Sequence, residues 1–73
     1  MTLAELRHEY RPYDTMPAFD RGFADYGKGY YGNPFDGCRD PGAGVKAQAW
    51  DRGAECAMRW EHHLLGLEIP RAG

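Results

Sequence analysis

Cys38, Cys56, His62 and His63 are the side chains of this sequence best suited to a soft metal ion. Zinc sites favour ligands in pairs two to four residues apart. The cysteines stand far apart in the chain, and adjacent histidines leave a helix on different sides, so no metal is expected and both cysteines read as reduced thiols. Gly42-Ala43-Gly44-Val45-Lys46 offers free N–H groups and a lysine at the start of a predicted helix, which is chemistry that can hold an anion. The stretch lacks the spacing and the Lys-Ser/Thr ending of a phosphate loop and follows no strand, so a flexible helix entry accounts for it equally well. No Ser–His–Asp set and no carboxylate pair suggests itself. A chain this short rarely encloses the cleft of roughly 300 Å³ typical of ligand sites. The expectation is a non-catalytic protein with no cofactor.

A different constellation occurs twice. Phe19-Asp20-Arg21-Gly22 returns as Trp50-Asp51-Arg52-Gly53. In each copy the aromatic and the glycine are three apart and share one helix face. A glycine inside a helix costs about 1 kcal/mol relative to alanine, so its double use predicts a close crossing of two helices there. The Asp and Arg of each copy are expected to point to solvent. Candidate contact residues for a protein partner are Tyr30 and Tyr31 on a glycine-rich loop, with the carboxylates Asp20, Asp25, Asp51 and Glu55 facing a basic surface. The competing set is Arg21, Arg52 and Arg59, which would serve RNA if they clustered on one face with Arg7 and Arg11.

Three helices must position these residues. Thr2 and Glu5 have capping-box spacing, Leu3, Leu6 and Tyr10 line one side, and a first helix over 1–10 ends before Pro12. A second, over 15–27, is expected to be capped by Asp14 or Thr15 with Pro17 in its first turn. Phe19, Gly22, Phe23 and Tyr26 form its apolar face. The segment 30–44 carries turn signals rather than alternation and reads as an ordered Gly/Pro-rich loop. A long third helix, 45–67, carries the stripe Trp50, Gly53, Ala54, Ala57, Trp60, Leu64 and Leu67, with Glu55 and Arg59 placed for an outer ion pair. A tail, 68–73, follows Pro70. The fold class is therefore all-α: a single small domain of a short N-terminal helix plus two packed helices.

The bulk properties fit this. Seventy-three residues make one marginal domain, a size at which a second copy in a homodimer is one source of added stability. No apolar run approaches the roughly 20 residues of a membrane span, and the first residues lack the pattern of a signal peptide, so a cytoplasmic protein in a bacterial host is expected. Nine Lys and Arg against eleven Asp and Glu give a net charge of −2, and no basic run is present.

The order of these residues resembles the ribosome modulation factor family, with its phage and plasmid relatives and a quinolone-resistance protein. The matching positions are Arg21, Gly22, Phe23, Gly29, Asn33, Pro34, Phe35, Trp50 and Gly53, and the likeness covers roughly 18–60. It implies two helices joined by an ordered loop whose Pro34-Phe35 tucks against the pair. Phe35 is then expected to be buried against the faces of Phe23 and Trp50. It also implies a ribosome- or RNA-associated regulator, and through the quinolone-resistance relatives a nucleotide-dependent modifying activity that would have to reside near Gly42–Lys46. The chain departs from the family in its acidic balance, its longer linker and its extra N-terminal helix. The leading expectation is therefore a phage-type inhibitor of a bacterial defence complex, anti-CRISPR-like, docked on a partner's basic nucleic-acid-binding surface.

Overall fold

A computed structural model describes residues 1–66 of the chain. The elements in order are α1 (Leu3–His8), a 3₁₀ turn (Tyr13–Thr15), α2 (Pro17–Gly27) and α3 (Ala43–Leu64). The protein is a small all-α domain in which α2 and α3 pack on each other. Leu67 of the expected stripe and the tail 68–73 lie outside the described residues.

Helix α1 starts as its sequence dictates. The Thr2 hydroxyl accepts the Glu5 N–H at 3.1 Å, and the Glu5 carboxylate accepts the Thr2 N–H at 3.0 Å. The second bond is the main reason that the Glu5 carboxyl sits below its ordinary range. The helix ends at His8 rather than at Tyr10, and the chain then turns through Tyr10 N–H to Arg7 O and Arg11 N–H to His8 O toward Pro12. Leu6 and Tyr10 still bury their side chains together with Phe19, Ala18, Ala49 and Cys56, so α1 lies over the core that α2 and α3 form.

Neither Asp14 nor Thr15 caps α2. The 3₁₀ turn directs the Thr15 hydroxyl to the Pro12 carbonyl at 3.1 Å, and the Asp14 carbonyl accepts from Arg7 at 2.9 Å. The N-cap is the extended residue Met16, followed by Pro17, which has no N–H to satisfy. Helix α3 begins two residues before the expected Val45, because Gly42 adopts a left-handed φ of 82° that sets the entry. Its stripe is only partly that expected. Trp50, Gly53 and Ala57 are buried, but so are Ala43, Ala49 and Cys56, whereas Leu64 is 66% exposed because it lies beyond the reach of α2.

The two halves of the repeat meet as a reciprocal pair. A Cβ at Gly22 would overlap the Trp50 carbonyl and stand 2.8 Å from its carbon. A Cβ at Gly53 would overlap the Phe19 carbonyl, again 2.8 Å from the carbon. Each glycine thus presents the hydrogen in its Cβ position to the carbonyl of the other copy's aromatic residue, a geometry known from helix–helix contacts through Cα–H groups. The positions of the helix starts give the relative direction of the pair, the same general sense for both: Met16, Pro17 and Ala18 of one line the same half-open apolar cavity of about 290 Å³ as Lys46 of the other. Two such helices cannot be joined by a tight turn, and residues 28–42 carry the chain back from the end of α2 to the start of α3.

Candidate partner-binding surface

The loop between α2 and α3 decides which side chains face outward. Asn33 anchors it. Its Nδ2 donates to the Ala47 carbonyl at 2.8 Å and to the Asp51 carboxylate at 3.0 Å, while its Oδ1 accepts the Phe35 N–H at 2.9 Å. The last bond is the local turn that an Asn two residues upstream favours. Phe35 is then held beneath Arg21, whose guanidinium carbon is 5.8 Å from the ring centroid. The Asn-Pro step was the signal for the Asn33 turn, but the partners on α3 are set by the path of the loop.

Arg21 and Asp51 were expected to face solvent. Both are exposed, and each also touches the Asn33-Pro34-Phe35 turn, one from each copy of the repeat. Phe35 is of intermediate exposure: it packs against the core cluster and lines the cavity beside Met16, Pro17 and Ala18. Pro34 is exposed. The structural residues Phe19, Gly22, Trp50 and Gly53 are buried as expected, and Phe23 is partly so.

Of the acidic residues expected to meet a partner, Asp25 is a correction. It accepts the Trp50 indole N–H at 3.0 Å and lies 3.5 Å from Arg21, with its side chain only 18% exposed, because the close crossing brings the Trp50 ring to it. Asp20 is exposed but bound to Arg7 at 2.6 Å. Glu55 is exposed and does not pair with Arg59. Arg59 turns the other way, donating to the Tyr10 hydroxyl at 3.0 Å and to Glu9 at 3.3 Å, and thereby ties the end of α1 to α3.

The arginines are thus distributed over internal tasks. Arg7 bonds Asp20, Arg21 pairs with Asp25, and Arg59 bonds Glu9. Arg52 is exposed and makes no ion pair among the described residues. Tyr30 and Tyr31 are the large side chains the loop sends outward, 64% and 70% exposed. The Tyr30 N–H donates to the Asp25 carbonyl at 2.8 Å, which fixes where the pair leaves α2. Tyr31 meets Tyr26 edge to face, with centroids 5.3 Å apart.

The two thiols differ sharply. Cys38 is exposed and Cys56 fully buried, and burial pushes the Cys56 thiol up from an ordinary 9.0 to about 11. A thiol reagent at about pH 8 is expected to modify Cys38 at once and Cys56 only as the protein unfolds. The unfolded Cys56 ionises near 9.0 and the folded one near 11, so its contribution to stability is complete below about pH 9 and is lost as the pH rises through about 11. Melting temperatures across that window should fall less in Cys56→Ala than in the parent.

Among the described residues, no three His, Cys, Asp or Glu side chains gather in a way that could hold a metal ion. The Gly42–Lys46 stretch is the entry of α3, where the Ala43 N–H is already taken by the Asp40 carbonyl at 3.0 Å. No helix among them is long and apolar enough to cross a membrane. Comparison of the chain with family models, with curated proteins and with solved structures finds no match.

Proposed function

We propose that the chain is a small non-catalytic binding protein that docks on a basic surface of a protein partner through Tyr30 and Tyr31. The observation that carries this reading is the exposure of these two adjacent tyrosines on a loop that Asn33, Arg21 and Asp51 otherwise hold firmly to the helices. Tyrosine anchors interfaces because it offers large area at low conformational cost. Asp20, Asp51 and Glu55 add negative charge around a chain of net charge −2. A phage-type inhibitor that occupies the nucleic-acid-binding surface of a bacterial defence complex, in the manner of an anti-CRISPR protein, would have this size and charge. A homodimer using the same tyrosines is an outcome that sedimentation would reveal.

Capture from nuclease-treated bacterial lysate tests the proposal. One specific protein should be retained by the parent chain and lost with Tyr30→Ala and Tyr31→Ala, while both variants keep the parent melting temperature. Retention unaffected by either substitution would refute the role of the loop. The resemblance to ribosome modulation factor motivates a second reading, an RNA-associated regulator. Arg52, exposed and without an ion pair among the described residues, is the feature that favours it.

A further inference from the structure

The starts of α2 and α3 and the loop between the helices leave a half-open cavity of about 290 Å³, lined by Met16, Pro17, Ala18, Phe35 and Lys46. All but Lys46 are apolar, and no carboxylate is among them. The backbone around this space is held in place. Met16 is the extended N-cap of α2, and Pro17 follows it with a ring-locked φ. Ala18 belongs to the buried core. The Phe35 N–H is bound by Asn33 at 2.9 Å, and Asn33 in turn donates to the carbonyl of Ala47, the neighbour of Lys46, at 2.8 Å. A preformed apolar cavity of this size takes up apolar molecules.

The apolar residues at the end of the chain do not reach it. From Lys46 to Leu64 the helix runs about 27 Å. From Leu64 to Ile69 even fully extended chain spans at most about 18 Å.

Lys46 sets the polarity of the occupant. It is exposed and lines the cavity with the others. A lysine in such a place lays its stem along apolar surface and keeps its ammonium in water. The mouth therefore offers a positive charge above an apolar interior. Arg21, over the Phe35 ring, is already paired with Asp25, so that charge is a single one.

We infer that this cavity binds a free fatty acid of medium chain length, with the acyl chain among Met16, Ala18 and Phe35 and the carboxylate at Lys46. A monoanion matches one ammonium, and the volume suits one acyl chain rather than the two of a phospholipid. The inference does not rest on the docking reading, since Tyr30 and Tyr31 follow the opposite end of α2 from the one that borders the cavity.

Titration of octanoate into the full chain tests it, with methionine methyl groups isotope-labelled for NMR and with hexanoate and 1-octanol as comparisons. The Met16 methyl should shift in a saturable way. Met58, about 18 Å further along α3 than Lys46, should not. Each buried methylene is worth about three- to fourfold in affinity, so octanoate should bind about tenfold more tightly than hexanoate. Lys46→Gln alters an exposed side chain and should keep the parent melting temperature. It should weaken octanoate about two- to fivefold and leave 1-octanol unchanged. No saturable shift at Met16, or equal affinities for hexanoate and octanoate, would overturn the inference. So would an octanoate affinity that Lys46→Gln leaves unchanged or lowers no more than that of 1-octanol.

Discussion

A methyl group placed at Gly22 or at Gly53 lowers the stability of this protein by about 1–3 kcal/mol or more. The obstacle at each position is the backbone carbonyl of the facing aromatic residue, Trp50 for Gly22 and Phe19 for Gly53. A carbonyl cannot swing aside as a side chain can, so α2 and α3 must separate. Alanine's better helix propensity, about 1 kcal/mol over glycine, works against that loss and makes a net destabilisation the more telling. Gly44 is the internal control. It also lies within a helix but would meet nothing within 4 Å, so Gly44→Ala should stabilise. The double variant Gly22→Ala/Gly53→Ala should cost less than the sum of the singles, since the first methyl already parts the helices for the second. Urea denaturation of the parent and the four variants measures all of these. A Gly53→Ala variant as stable as Gly44→Ala would contradict the crossing.

Phe19→Ala carries the largest effect of any single core truncation considered. Phe19 is fully buried, packs its ring 5.8 Å from that of Tyr10 and lies under Arg7, so the side chain joins α1 to the crossing. Its removal should cost about 3–5 kcal/mol. A domain of this length has about 4–11 kcal/mol in total, so the variant should be largely unfolded or close to it at room temperature by circular dichroism. Phe35→Ala, which truncates a partly buried ring, should cost less than half as much. Equal losses at the two positions would show that the loop, rather than the α1–α2–α3 contact, is the centre of the core.

Much of the architecture was legible in the sequence because it depends on local spacing. The capping box of Thr2 and Glu5, the face shared by Phe19 and Gly22, and the close approach at Gly53 all follow from helical periodicity. What was not legible depends on the path of the chain between helices. The spacing of Glu55 and Arg59 predicts a pair on an isolated helix, but Glu9 and Tyr10 of the preceding segment reach Arg59 and redirect it. Asp25 reads as a surface carboxylate until the crossing places the Trp50 indole against it. The Asp and Arg of the repeat look interchangeable in the sequence. They differ in the structure because the returning loop passes Arg21 on one helix and Asp51 on the other. Leu64 continues the stripe of α3 on paper, yet α3 outruns the shorter α2 and leaves it in solvent. The exposure of Tyr30 and Tyr31 is legible in their place on a glycine-rich loop. The edge-to-face contact that Tyr31 makes with Tyr26 depends on the path of the loop as it leaves α2.

We propose that Arg7, Arg21 and Arg59 serve the protein's own fold and that its partner is a protein rather than a nucleic acid. Fluorescence anisotropy of a labelled, structured ribosomal RNA fragment in about 0.15 M salt tests this most directly, because phosphate binding must weaken linearly on a log–log plot against salt. With Arg7, Arg21 and Arg59 held by Asp20, Asp25 and Glu9, the account predicts no submicromolar binding and no steep salt dependence. Submicromolar affinity in that buffer, lost on replacing Arg21 or Arg52 with alanine, would contradict it and establish the RNA reading instead.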